Sequence, residues 1–174
     1  MRLVLILLLF LFCCRKEESD FVPIYSVPQE MEGFVKAFRE EGATRGVELN
    51  INNLIIRFDS TMTSTYCGEC NSSSLDPNIQ KIISVNPFFE CWYSEPEREA
   101  FFFHELGHCV LGRLHDRTLL PNGDPKSIMV ESGAGVYAPC IYDVGGEPCD
   151  NGFKRPYYLD ELFNEATPTP DWAK

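Results

Sequence analysis

The sequence predicts a single α+β domain in which a long buried helix packs against a small sheet. Two observations lead to this prediction: an apolar helix with clear end signals covers about Glu95–Leu111, and two stretches rich in β-branched and aliphatic residues precede it. A third is size, because 174 residues, 44% of them apolar, suffice for one domain with a sizeable core.

The other elements are assigned from periodicity and from residues that break helices and strands. In chain order they are a helix over Gln29–Glu41, a strand over Val47–Phe58 that is strongest at Leu54–Phe58, a polar loop over Ser60–Pro77, a strand over Lys81–Val85 and a short helix over Pro156–Glu165. The first helix is expected to end at Gly42, and the second strand at Asn86-Pro87. The segment between Met129 and Lys154 is expected to be rich in loops.

The long helix carries signals at both ends. Ser94 and Glu97 fit the S-x-x-E capping box, and Pro96 lies in the first turn, where its missing N–H costs little. Gly112 is a natural stop because it accepts the left-handed conformation that ends helices. Residues 100–111 are apolar nearly all round, which is typical of a helix buried within a domain.

All three histidines of the chain lie in this region, inside one stretch of twelve residues. His104 and His108 are four apart with Glu105 between them, the H-E-x-x-H pattern, so that both imidazoles lie on one helix face and can bind one metal ion. Glu105 then lies near the ion without binding it, and can accept a proton from water. A turn at Gly112 lets the chain reverse and bring His115 to the same ion.

This region resembles the metzincin zinc metalloproteases, whose signature H-E-x-x-H-x-x-G-x-x-H is followed by a methionine in a tight turn beneath the metal. The residues that match by type are His104, Glu105, His108, Gly112 and His115. Met129, in Ser127-Ile128-Met129, stands fourteen residues beyond His115 and is similar to the methionine of that turn. The resemblance covers about Ser94 to Val130, and elsewhere only the order of elements.

The chain departs from the family pattern just before Gly112. The family has two residues between the second histidine and the glycine, whereas this chain has three. A helix one residue longer turns its exit by roughly 100° and advances it by about 1.5 Å. Asp116 is therefore the next candidate for third ligand after His115, and Glu131 is a weaker one. Tyr137 is a weak candidate for stabilising an oxyanion.

The resemblance implies a small metzincin-like catalytic domain with a mixed or antiparallel sheet. It implies Zn²⁺ held by His104, His108 and His115, with Glu105 as general base in the hydrolysis of a protein or peptide substrate. Lys81–Val85 is a candidate edge for an extended peptide, unless it is an ordinary strand of the sheet. Two alternatives stay open: a surface-anchored binding or adhesion protein with a non-catalytic zinc site, and a metallohydrolase acting on something other than peptides.

The N-terminus reads as an export signal followed by a tether. Leu3–Phe12 is a run of ten apolar residues after a positive start, too short to span a bilayer. Because Cys13-Cys14 follow, the segment resembles a bacterial lipoprotein signal, which implies a signal peptide over 1–13, a lipid on Cys14 and anchoring at the cell envelope or surface. The alternative is an ordinary secreted protein. Residues 14–30 then form a tether and residues 31–174 the domain.

Cysteine usage agrees with export. Six cysteines remain beyond Cys14: Cys67, Cys70, Cys91, Cys109, Cys140 and Cys149. An even number in an exported protein predicts disulfides, whose pairing stays open; a local Cys140–Cys149 bridge is one option. The C-x-x-C at Cys67 and Cys70 is interpreted as structural rather than as a redox pair or half of a second zinc site.

Charge limits the partners. The net charge of −11 argues against binding to nucleic acid, because the phosphate backbone would be repelled. It also disfavours acidic peptides as substrates, unless the cleft is locally positive. We expect a monomer.

Overall fold

A computed structural model describes residues 21–63, 66–71, 75–88, 94–131, 135–139 and 150–174. Within these ranges the chain has three α-helices and one three-stranded mixed sheet, so the predicted α+β class is confirmed. The elements are α1 (Glu32–Thr44), β1 (Leu54–Phe58), β2 (Gly68–Cys70), β3 (Lys81–Val85), α2 (Glu95–Leu111) and α3 (Arg155–Phe163), with short 3₁₀ turns at Gly152–Lys154 and Asp171–Ala173. The predicted signal peptide and Cys14 lie outside the described residues.

The sheet has the order β1-β3-β2, with β1 parallel and β2 antiparallel to the central strand β3. The prediction that Lys81–Val85 offers an edge to a peptide is therefore wrong, since both sides of that strand are paired. β2 lies inside Ser60–Pro77, which was predicted to be a loop. Among the described residues no strand pairs with the outer side of β2, so this short strand is an open edge of the sheet.

The end of the predicted tether is part of the fold. Ser26 forms a parallel bridge with Ile55, in which the Ser26 N–H donates to Leu54 O and the Ile56 N–H donates to Ser26 O, both at 2.9 Å. The Ile24 N–H donates to the side chain of Gln80 at 3.0 Å. The segment around Ser26 thus lies along the side of β1 that faces away from β3.

The first helix begins and ends later than predicted. It ends later because Gly42 does not stop it. A Cβ at Gly42 would lie 3.0 Å from Val47 O and 3.0 Å from the Leu49 side chain, so this glycine permits close packing. The left-handed conformation is taken instead by Gly46, with φ of 76°. The helix therefore continues through Gly42 to Thr44 before the chain turns.

The core forms around α2, which contacts α1, β2 and β3. Phe102 stacks on Phe34 of α1, and Phe103 meets Phe38 edge to face, with ring centroids 4.8 and 5.3 Å apart. All four rings are buried, so that burial of aromatic surface fixes α2 between α1 and the sheet. No described helix is both long and apolar enough to cross a membrane.

A disulfide joins Cys70 of β2 to Cys109 of α2, with the two Cα atoms 5.6 Å apart. Cys67 is also disulfide-bonded, and not to Cys70. The C-x-x-C motif therefore belongs to two separate bridges and is not an internal redox pair. Cys91, Cys140 and Cys149 lie outside the described residues, as does the predicted Cys140–Cys149 bridge.

Candidate metal centre

Helix α2 begins and ends where the sequence predicts, at Glu95 and Leu111. Ser94 Oγ accepts a hydrogen bond from the Glu97 N–H at the start of the helix. Gly112 ends it with φ of 66°, and the Arg113 N–H donates back to Gly107 O at 3.0 Å. The helix thus ends at Leu111, and the chain then reverses at Gly112.

The three histidines converge on one point. The Nε2 atoms of His104 and His108 are 3.1 Å apart, and those of His104 and His115 are 3.3 Å apart. In tetrahedral coordination with bonds of about 2.0–2.1 Å, two ligand nitrogens lie about 3.3 Å apart. The group of His104, His108 and His115 could therefore hold one metal ion, with all three ligand atoms within 4.8 Å of one another.

Backbone carbonyls set the tautomer of the two helix histidines. His104 Nδ1 lies 2.8 Å from Ile128 O, and His108 Nδ1 lies 2.6 Å from Arg113 O. A carbonyl oxygen only accepts, so each Nδ1 carries the proton and each Nε2 of the neutral ring presents a lone pair. Two lone pairs that face each other across 3.1 Å repel, and a cation between them removes that repulsion. The donor set fits a metal ion.

Burial also keeps these two rings neutral. The pKa of His104 is lowered to about 4, mainly because the buried imidazolium loses its hydration, while the hydrogen bond to Ile128 O acts in the opposite direction. The pKa of His108 is lowered for the same main reason. Neutral imidazole is the form that binds metals, so at neutral pH no proton has to leave either ring before a metal binds.

Glu105 lies in the same cleft but is not part of the converging group. Its side chain is buried, and burial raises the pKa of Glu105 to about 7. A backbone hydrogen bond at Cys70 opposes that shift, and the nearby charge of Glu69 adds to it. A cation beside this carboxyl group would favour its charged form.

The structure brings His115 to the cluster and leaves the two other candidates elsewhere. Asp116 Oδ1 accepts a hydrogen bond from the Thr118 N–H at 2.8 Å, so its carboxylate is directed at the following loop. Glu131 forms an ion pair with Arg117. One Glu131 oxygen lies 3.9 Å from His115 Nδ1, which places this carboxylate beside the third histidine and on its outer side.

The turn Ser127-Ile128-Met129 supports the site from below. Besides the Ile128 carbonyl on His104, Met129 O accepts a hydrogen bond from the Asp116 N–H at 3.0 Å. The Met129 side chain is fully buried and packs against α2 at Gly107. The turn therefore holds one helix histidine and the chain that follows His115.

A buried polar network behind the site was not predicted from the sequence. Arg113 donates to Glu161 Oε1 at 2.6 Å and to the Leu162 carbonyl at 2.7 Å. The other carboxylate oxygen of Glu161 accepts from the Ser127 hydroxyl, which itself accepts from the Met129 N–H at 3.0 Å. Glu161 of α3 thus connects the two segments whose carbonyls orient the helix histidines.

Tyr137 lies away from this cleft. Its ring is buried, and its hydroxyl donates to Glu99 Oε2 at 3.0 Å. It lines a different cavity, beside Phe34 and Glu95. The interpretation of Tyr137 as an oxyanion-stabilising group is therefore wrong for this structure.

The cleft over the histidines has a volume of about 590 Å³. Edge strand β2 forms one wall, and the segment containing Leu114 and His115 forms another. Tyr66 and Leu114 are both exposed on its rim. Glu105 and His104 lie at its buried end.

Gly107→Ala is expected to destabilise the protein by about 1–3 kcal/mol, because the added methyl group overpacks the helix against the turn below. Its Cβ would lie 2.6 Å from Met129 Sδ and 3.1 Å from Leu162 Cδ1, both in fully packed surroundings. Urea unfolding measures the effect. Gly33→Ala is the matched control: Gly33 is an exposed helical position with nothing within 4 Å of an added Cβ, so stability is expected to rise by up to about 1 kcal/mol. Equal changes in the two variants would contradict the predicted clash.

Comparison with known proteins leaves the site to be interpreted from its own residues. No protein-family model matches the chain, and no curated protein or solved structure is significantly similar to it. The resemblance to metzincins accordingly rests on the motif region alone.

Proposed function

We propose that the protein is a zinc-dependent endopeptidase in which Glu105 is the general base. The observation that carries this proposal is the position of Glu105, a buried carboxyl group that shares the cleft of the histidine cluster without joining it. A structural zinc site usually fills its four positions with cysteine or histidine and has no use for such a group. Three histidines leave one position open, as in catalytic zinc sites.

Zinc is the ion that the ligand set favours, since three neutral imidazoles are an established arrangement for catalytic zinc. His104, His108 and His115 would hold it. When bound, zinc would supply Lewis-acid chemistry, lowering the pKa of water toward neutrality and polarising a carbonyl group. The carbonyls of Ile128 and Arg113 keep the first two rings oriented for this task.

Glu105 would move the proton. As water attacks the peptide carbonyl, the carboxylate accepts its proton and then passes that proton to the departing amine. Its position supports this role, because the buried carboxyl group shares the cleft of the three histidines. The backbone hydrogen bond at Cys70 keeps the side chain beside the edge of the sheet.

The edge strand β2 supports an extended peptide as the substrate. A peptide that pairs with this edge would pass over Glu105, with its position set mainly by backbone hydrogen bonds. The proposed pairing edge is thus β2 instead of β3. Backbone pairing of this kind tolerates many side chains, which suits an endopeptidase better than an enzyme with a single small substrate.

We propose further that the protein is exported and anchored at the cell envelope through a lipid on Cys14. The Cys70–Cys109 disulfide supports export, because disulfides persist in oxidising compartments and are rare in the cytosol. The N-terminal apolar run ending at two cysteines supports the lipid anchor.

Removal of the metal is expected to abolish hydrolysis of a diverse peptide library, and added zinc is expected to restore it. The purified protein should contain about one zinc per chain, measured by mass spectrometry of the metal. His115→Ala should lower zinc affinity more than about tenfold, whereas Asp116→Ala, which removes a carboxylate directed at Thr118, should change it little. Zinc without hydrolysis would favour the binding-protein alternative. Undiminished zinc affinity in His115→Ala would place the third ligand elsewhere.

A further inference from the structure

We propose that the cleft selects cationic peptide segments, and that Glu69 recognises a lysine or arginine side chain of the substrate. This proposal rests on the proposed function, because it assigns a substrate class to the same cleft. It follows from three features of the cleft wall: its charges, the geometry of β2 and the exposed groups of the rim.

The charged groups of the cleft are acidic. Besides the histidines and Tyr66, its ionisable lining residues are Glu69, Glu105 and Glu131, and no lysine or arginine is among the described residues that line it. Glu105 is buried and Glu131 pairs with Arg117. Glu69 is exposed on the edge strand and is therefore the carboxylate that an incoming cationic side chain meets first. A chain with a net charge of −11 adds attraction at longer range.

The register of β2 shows which of its backbone groups face β3 and which face the cleft. The Asn86 N–H donates to Cys67 O and the Asn71 N–H donates to Ile82 O, while Glu69 is paired with Ser84 between them. Because backbone groups alternate in direction along a strand, Gly68 and Cys70 direct theirs to the opposite side, which is the cleft. The Cys70 N–H there donates to the Glu105 carboxyl group, so a peptide would pair through Gly68 and the Cys70 carbonyl.

Glu69 is the side chain of β2 that a substrate can contact, because its two neighbours in the strand offer none. Gly68 has no side chain, and a Cβ there would clash with Phe101 at 2.6 Å. The Cys70 side chain is used in the disulfide with Cys109. A peptide strand paired with β2 would place one of its own side chains next to Glu69, at the distance where opposite charges stabilise a cross-strand pair.

The rim suits the long stems of lysine and arginine. Tyr66 is 63% exposed and Leu114 is 73% exposed, and both line the cleft. Lysine and arginine carry apolar stems that pack on such surfaces, and a tyrosine ring also attracts the cationic head. Side chains alternate along a paired strand, so the substrate residues that reach this rim are the neighbours of the one beside Glu69. An acidic side chain beside Glu69 would face a like charge.

The test uses sets of fluorogenic peptides that are identical except for lysine, glutamine or glutamate at one position near the cleaved bond. For wild-type protein, kcat/KM should be highest with lysine and lowest with glutamate. Glu69→Gln should reduce the lysine-to-glutamate ratio by about two- to fivefold, and Glu69→Lys should invert it. Glu48→Gln is the matched control, because Glu48 is exposed and does not line this cleft, and it should leave the ratio unchanged. High salt should reduce the ratio in the wild type.

The outcomes separate the two proposals. Hydrolysis of all three peptides at equal rates would overturn the charge preference and leave the peptidase intact. If no peptide is hydrolysed, the peptidase proposal fails, and binding of the same peptides to zinc-loaded protein is measured by fluorescence anisotropy. Tighter binding of the lysine peptide, lost in Glu69→Gln, would support the preference, and equal binding would overturn it.

Discussion

Glu105→Gln is expected to lower kcat for peptide hydrolysis by about 10²–10⁴-fold, the range that a general base contributes. The amide keeps the size of the side chain but cannot accept a proton from water. Because Glu105 is outside the converging group of nitrogens, the variant should still bind about one zinc per chain. Steady-state kinetics on one peptide, with metal content determined on the same sample, measures both quantities.

Glu95→Gln is the control for this prediction, since it makes the same chemical change at an exposed position in the first turn of α2. It should leave kcat unchanged. Full activity in Glu105→Gln would assign the proton transfer to another group. Loss of zinc from that variant would show that Glu105 serves the metal site itself, which would favour the binding-protein alternative.

The second large effect is expected at Glu161. Glu161→Ala should lower the free energy of unfolding by about 3–5 kcal/mol, because it removes the buried carboxylate 2.6 Å from the buried guanidinium of Arg113 and leaves it only the exposed Glu165. It should also weaken zinc binding by about 10–100-fold, since the segments of Ser127 and Arg113 that orient the helix histidines are no longer connected. Urea unfolding of the metal-free protein and competition with a chelator measure the two effects separately.

Glu165→Ala tests whether the burial of Glu161 is the cause of the expected loss of stability. Glu165 lies 3.4 Å from the same arginine, but its side chain is 75% exposed, so its removal should cost less than about 1 kcal/mol. Glu161→Gln, which keeps the shape and some of the hydrogen bonds, should lie between Glu161→Ala and wild type. Equal losses in Glu161→Ala and Glu165→Ala would contradict the burial argument, and unchanged zinc affinity in Glu161→Ala would contradict its role in orienting the ligands.

The parts of the fold that the sequence predicted well carry local signals. Helix α2 has a capping serine, a first-turn proline and a terminal glycine, and both of its ends were predicted correctly. Strand β3 contains three β-branched residues, Ile82, Ile83 and Val85, before Asn86-Pro87, and it too has the predicted bounds. In α1 the signal was ambiguous, because a glycine that ends a helix and a glycine that permits close packing look alike in sequence. Gly42 is of the second kind.

The parts that could not be predicted depend on distant contacts. Strand β2 is Gly-Glu-Cys, which has no strand pattern, and it is held by pairing with β3 and by the bridge to Cys109. The ligand side chains could be predicted because two histidines four residues apart on a helix lie on one face and can bind one metal ion. Their orienting groups could not, because a backbone carbonyl such as that of Ile128 carries no residue signature. Glu161 is 48 residues from Arg113, and nothing near either residue indicates the pair.

Among the described strands, the sheet of this protein has one unpaired edge, which is short and charged. The segment around Ser26 covers one side of β1, so the described strands leave only β2 open to pairing. Exposed strand edges attract copies of the same protein, and short, charged edges resist this. At three residues with Glu69 at its centre, β2 is such an edge, and two negatively charged copies would repel each other there. Resistance to self-pairing and the proposed binding of an extended peptide are thus compatible at one edge of the sheet.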